Sequence, residues 1–148
     1  MILGDMIERN ACCFPEHPAV LFEGRSLSHR DYARRVKQLI NALAAKGCSR
    51  QSRLAVLSRN CPEYLEVYGA AGLGGYVGLG LNYRLSAIEQ IGILHDADPA
   101  VFFFESEYLA RVETLRSQLP AQTLFICLDQ LAHPLDWALD YETWLASA

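Results

Sequence analysis

Apolar and polar positions change period several times along this chain, and each change marks an element. Tyr32, Ala33, Val36, Leu39, Ile40, Leu43 and Ala44 fall on one helical stripe. Ser28-x-x-Asp31 stands before the stripe as a near capping box, with Asp where Glu is usual. Gly47 follows it, where a helix end favours positive φ. The spacing predicts a helix between these two signals. Upstream, 3–11 reads as a short helix, stopped by Pro15 and Pro18, which cannot continue a helical ladder. Residues 19–22 and 25–27 read as two short strands around Glu23-Gly24, a hairpin signal.

Beyond Gly47 the pattern alternates between apolar runs and capped helices. RLAVLS at 53–58 predicts a buried strand. Asn60-Cys61-Pro62 opens a helix reaching about 73, with Pro62 in the first turn, where its missing N–H costs nothing. That helix is apolar on most sides, which predicts burial between layers. Residues 76–81 form a strand candidate weakened by Gly78 and Gly80. Ser86-x-x-Glu89 is a full capping box and starts a helix to about 95. PAVFFF at 99–104 and TLFICL at 123–128 are apolar strands. Between them Ser106 caps a helix carrying Tyr108, Leu109, Val112 and Leu115, stopped by Pro120. Residues 129–148 hold Pro134, Trp137 and Trp144 and show no clear period.

The strands are continuous apolar runs and they alternate with helices. Both facts predict an α/β fold: a mainly parallel sheet flanked by helices on both faces, with a small N-terminal hairpin. Residues 1–148 read as a single α/β domain or subdomain, with 129–148 as a connector.

Composition narrows the function classes. A chain of 148 residues fits one domain and is long enough to bury a core. With 51% hydrophobic and 20% charged residues it is not an intrinsically disordered chain. Thirteen basic against seventeen acidic residues give a net charge of −4, which argues against a nucleic-acid binder. The longest weakly polar run, 70–81, is glycine-rich and far short of the roughly 20 apolar residues a membrane span needs. The start, MILGDMIERN, carries Asp5 and Glu8 and has neither a basic stretch nor a long apolar stretch, so it does not read as a signal peptide. Five cysteines without a CxxC fit reduced thiols and a cytoplasmic location.

Candidate chemistry is sparse. Gly69, Gly72, Gly74, Gly75, Gly78 and Gly80 invite a phosphate-loop reading, but Gly75 stands where GxxxxGK[ST] needs Lys. They end a helix and enter a strand, the reverse of a GxGxxG context, and close helix–sheet packing explains them. Nine of the thirteen basic residues (Arg25, Arg30, Arg34, Arg35, Lys37, Lys46, Arg50, Arg53, Arg59) lie within 25–59, with Asp31 the only acid there. They read as a solvated helix face, or as an anion patch for a phosphorylated cofactor or polyanion. His17, His29, His95 and His133 are scattered, Cys12-Cys13 suit no zinc site, and GxSxG does not occur. No catalytic, cofactor-binding or metal-binding residue is assigned.

The order of segments adds more. Pro15, Pro18, Ala19, Gly24, Arg25 and Ser28 are followed by Asn60, Pro62 and Glu63, and then by Leu81, Asn82, Arg84, Leu85, Ser86 and Glu89. Asp96-Ala97-Asp98 before an apolar strand completes the series. This series, over roughly 3–128, resembles the opening of the adenylate-forming (AMP-binding) enzymes of the acyl-CoA synthetase type. The chain departs from the family pattern at Gln51-Ser52, where Gly-Asp is usual, near His29, where a Tyr is usual, and at Gly80, where Pro is usual.

The resemblance implies the N-terminal segment of an ATP-dependent acyl-CoA synthetase, which converts carboxylate and ATP to an acyl-adenylate and then to a thioester with CoA. ATP, Mg²⁺ and CoA are implied for the full-length enzyme and none for this chain, because the Ser/Thr-Gly-rich loop ending in Pro-Lys-Gly that holds the ATP phosphates does not occur in it. Asn82, Arg84, Ser86 and Glu89 read as a turn and a helix cap. The implied partner is the remainder of the full-length enzyme, with self-association through an apolar face or sheet edge as a further expectation. The alternatives are a truncated non-catalytic binding or regulatory homologue and an unrelated flavodoxin-like nucleotide-binding domain.

Overall fold

The computed structural model describes residues 3–147. Helix α1 (Leu3–Cys13) precedes an antiparallel hairpin of β1 (Pro18–Phe22) and β2 (Arg25–Ser28). Both turn residues have positive φ, Glu23 at 47° and Gly24 at 78°, which matches the twist of a two-residue hairpin. Helix α2 (His29–Ala45) starts where the Ser28 hydroxyl accepts from the Asp31 amide at 3.1 Å. Then β3 (Arg53–Leu57), α3 (Pro62–Gly74), β4 (Val77–Gly80), α4 (Ala87–Ala97) and β5 (Val101–Phe104) alternate. A 3₁₀ turn (Ser106–Tyr108) leads into α5 (Leu109–Arg116), followed by β6 (Leu124–Cys127), β7 (Ala138–Asp140) and α6 (Tyr141–Ala146).

The main sheet runs β4-β3-β5-β6-β7 with every pairing parallel. Side chains alternate across it, so one apolar strand feeds two cores. Leu54, Val56, Val101, Phe103 and Ile126 pack toward α2, α3 and α6. Ala55, Leu57, Phe102, Phe104, Phe125 and Cys127 pack toward α4 and α5. All four residues of β5 are fully buried at the sheet centre, as a strand covered on both faces requires. The glycines at the end of α3 serve packing: a Cβ on Gly69 would stand 2.6 Å from Val36 Cγ2 and 2.7 Å from the Tyr32 hydroxyl oxygen.

Three local differences from the sequence reading have physical causes. Helix α3 buries one face against its neighbours but leaves Leu65 and Tyr68 on the surface, so its apolar girth exceeds its burial. Helices cover both faces of β3, β5 and β6, so the exposed large apolar side chains are scattered, among them Leu21, Val77 and Ile88. Residues 129–147 carry β7 and α6, elements too short for a periodicity to show.

The departure at Gln51 has a structural cost. Gln51 sits at φ 68°, in the left-handed region that favours glycine. Gln51→Gly is expected to raise the unfolding free energy by about 0.5–1 kcal/mol, the relieved strain slightly exceeding the backbone entropy of glycine. Urea unfolding midpoints measure this, and a lower midpoint for the variant would contradict it.

Candidate functional site

In an open parallel sheet, ligands bind beyond the carboxyl ends of the strands. Here that end is formed by the residues after β3, β4, β5, β6 and β7, and it carries two adjoining features.

The first is an open cleft of about 880 Å³ between the hairpin and the ends of β5, β6 and β7. Glu23, Glu63, Glu105, Asp129, Asp140 and Glu142 line it, with Arg25 as its cation. Several of these carboxylates already serve the backbone. Glu105 accepts from the Arg59 amide at 2.6 Å, Asp129 from the Ser106 amide at 2.6 Å, and Asp140 from the Thr143 amide at 2.8 Å. Among the described residues no three His, Cys, Asp or Glu side chains are grouped to hold a metal ion. The described residues therefore do not form a Mg²⁺ cage. Burial pushes the Cys61 thiol up to about 11 and the Cys127 thiol up to about 12, so both stay protonated and unreactive at neutral pH.

The second feature is an aromatic–arginine patch joined to the cleft through Arg59 and Glu105. Tyr83, just beyond β4, stacks on Tyr108 with ring centroids 6.1 Å apart and planes 29° apart. The guanidinium carbons of Arg59 and Arg84 lie 5.9 and 5.7 Å from the Tyr83 centroid. Arg59 is tethered to Glu107 at 3.0 Å and donates to the Tyr108 hydroxyl at 3.4 Å, whereas the Arg84 side chain is exposed. Half-buried Arg111 donates through Nη1 to the carbonyls of Tyr83 at 2.7 Å and Leu85 at 3.0 Å. Two arginines around stacked aromatic rings can bind phosphate groups together with a planar base.

The residues singled out in the sequence divide clearly. Asn82, Ser86 and Glu89 build the turn and cap: Asn82 Oδ1 accepts from the Arg84 amide at 3.0 Å, and Ser86 and Glu89 complete a reciprocal capping box. Of the nine basic residues in 25–59, Arg25, Arg30, Arg34, Arg35, Lys37, Arg53 and Arg59 form ion pairs. Arg34 and Lys37 pair with Asp31 and Glu8, which leaves Arg59 as the one ion-paired member of the segment that joins the patch. Tyr83 and Arg111 escaped the sequence reading and Tyr108 was read only as part of an apolar helix face, because the patch draws on three separated segments. The adjacent pair Tyr83-Arg84 was its only local signal.

The sequence profile of the AMP-binding enzymes matches residues 7–147. The chain belongs to the AMP-binding enzyme family. It is 34% identical over 145 residues to an indoleacetate–CoA ligase from Aromatoleum aromaticum, covering 98% of this chain and 28% of that protein. It superposes on the anthranilate CoA ligase AuaEII, solved with anthranoyl-AMP, with a TM-score of 0.91 at 22% identity, covering 99% of this chain and 28% of that one. It likewise superposes on the N-terminal domain of FACL13 from Mycobacterium tuberculosis, with a TM-score of 0.84 at 21% identity, covering all of this chain and 36% of that one. The two superpositions show the shared fold. The chain thus spans between 28% and 36% of the length of these three proteins. Family membership overturns the reading as an unrelated flavodoxin-like domain. Among the described residues no helix is long and apolar enough to cross a membrane.

Proposed function

We propose that this chain is the N-terminal segment of an ATP-dependent acyl-CoA synthetase, and that within it the patch around Tyr83 binds the nucleotide half of CoA. In that parent enzyme a carboxylate attacks the α-phosphorus of ATP, giving acyl-adenylate and pyrophosphate. The CoA thiol then attacks the acyl carbonyl, forming the thioester and releasing AMP. The observation that carries the reading is the meeting of Arg59, Arg84 and the stacked Tyr83–Tyr108 pair at the carboxyl end of a parallel sheet. The family resemblance gives the ATP phosphates to a Ser/Thr-Gly-rich loop that does not occur among these residues. CoA is the phosphorylated co-substrate left for this patch. Its adenine suits the edge of a half-buried tyrosine pair and its phosphates suit two guanidinium groups.

The chain contributes binding surface to this enzyme and not the adenylation chemistry. Phosphoryl transfer relies on preorganised cationic donors around the transferring group. The cleft beside the patch is lined by six carboxylates and one arginine, the opposite polarity. The purified 148-residue chain is therefore expected to show no carboxylate-dependent ATP–pyrophosphate exchange above a blank. The parent enzyme is expected to show exchange, and thioester formation once CoA is added. Exchange by the chain alone would overturn its non-catalytic assignment, and a parent without thioester formation would overturn the synthetase reading.

The chain is also expected to self-associate when separated from the parent. Strand β4 is an open edge of the sheet, with Val77 exposed on it and Tyr68 exposed on neighbouring α3. Sedimentation velocity over a concentration series should show a rising average mass, and a monomer up to high micromolar concentration would contradict this.

A further inference from the structure

We propose that Gln90 and Arg111 are positioning residues for the CoA-nucleotide patch, holding Tyr83 and Arg84 from beneath without touching the ligand. The inference rests on the reading of that patch given above.

The turn at 82–85 is the element that presents the patch. Its outer side carries Asn82 and Arg84 to solvent. Its inner side is gripped by two helices. Gln90 on α4 donates through Nε2 to the Asn82 carbonyl at 2.9 Å. Arg111 on α5 donates to the Tyr83 and Leu85 carbonyls. Three of the four turn carbonyls thus receive a side-chain hydrogen bond from below. Within the turn, the Leu85 amide donates to the Asn82 carbonyl and the Arg84 amide to Asn82 Oδ1. A ring whose stacking depends on its orientation needs this kind of support from residues behind it.

Core packing alone does not explain Gln90. The side chain is fully buried, and its Oε1 has no protein donor. A buried acceptor without a partner is unfavourable, so an apolar residue of similar size would serve the core better. What the amide adds is the grip on the Asn82 carbonyl. Arg111 fits the same role. One guanidinium nitrogen reaches two carbonyls two residues apart, and a lysine side chain, one atom shorter, would leave its ammonium short of them.

The test uses the 148-residue chain and adenosine 3′,5′-bisphosphate, the nucleotide half of CoA, titrated at several salt concentrations. Gln90→Leu should weaken binding about fivefold or more, since the supporting contact is lost. It should leave the salt dependence unchanged, because no charge is removed. Its melting temperature should stay within about 4 °C of the wild type. Arg111→Lys should also weaken binding with an unchanged salt slope. Arg84→Ala, a direct contact, should weaken binding with a shallower slope. In the ligand-free Gln90→Leu chain, the Arg84 and Leu85 amides should exchange with solvent several-fold faster. Wild-type binding that falls in Arg84→Ala but not in Gln90→Leu or Arg111→Lys would overturn this proposal and leave the patch reading standing. No binding by the wild type would overturn both.

Discussion

Phe103→Ala is expected to lower the unfolding free energy by about 3–5 kcal/mol, one of the two largest losses predicted for a single substitution here. Phe103 is fully buried in β5, the central strand of the main sheet, and pairs in register with Val56 and Ile126. Its ring meets Tyr141 edge-on at 6.3 Å, so it also links the sheet to α6. The site is enclosed by sheet and helices, so truncation leaves a cavity that the surroundings fill only partly. Ile88→Ala is the matched control: Ile88 is 83% exposed, and its loss should stay within about 0.5 kcal/mol. Denaturant unfolding of both variants measures this. A loss below about 1.5 kcal/mol at Phe103 would mean that β5 is not the closed centre of the fold.

Arg35→Met should cost a comparable amount, about 3–5 kcal/mol near neutral pH, by stranding a buried carboxylate. Glu66 on α3 is 1% exposed. Glu66 Oε2 accepts from Arg35 Nη2 at 3.1 Å and from the Tyr141 hydroxyl at 2.7 Å, while Arg35 also pairs with Glu142. Three helices, α2, α3 and α6, therefore meet at one charged node. Burial pushes the Glu66 carboxyl above its ordinary value, and the Arg35 and Tyr141 donors offset only part of that. The pH dependence follows in sign. A carboxyl raised in the folded state favours folding below its unfolded value, near 4.5, and that contribution is lost as pH rises through the folded value. Without Arg35 the carboxyl rises further, so the variant's deficit should be larger at pH 8 than at pH 5. Adding Glu66→Gln to Arg35→Met should recover much of the loss, because the stranded charge disappears while Tyr141 keeps an acceptor. A deficit independent of pH, or no recovery in the double variant, would contradict this account.

How much of this was legible in the sequence depended on length and locality. Helix α2 was readable because seventeen residues carry a clear stripe, a Ser28 cap and Gly47 after its end. The strands PAVFFF and TLFICL announced burial on both faces by lacking alternation. Strand β7 and helix α6 span only three and six residues, below any window in which a period can be counted. Asp140, which accepts from the Thr143 amide, was the one cap signal available there. Charge was legible in amount but not in pairing. Arg35 looked like one more member of a basic face, and its partners Glu66 and Glu142 lie 31 and 107 residues away. The patch was hidden for the same reason: only the parallel topology brings Arg59, Tyr83 and Tyr108 together.

The measurement that bears most directly on the proposed function separates the two half-reactions in the parent enzyme carrying Arg84→Ala. Carboxylate-dependent ATP–pyrophosphate exchange reads adenylation, and thioester formation as a function of CoA concentration reads the second step. Exchange is expected at the wild-type rate, with a KM for CoA raised about tenfold by the loss of one charge-assisted phosphate contact. A KM for CoA equal to the wild-type value, or a loss confined to the exchange reaction, would contradict the proposed function.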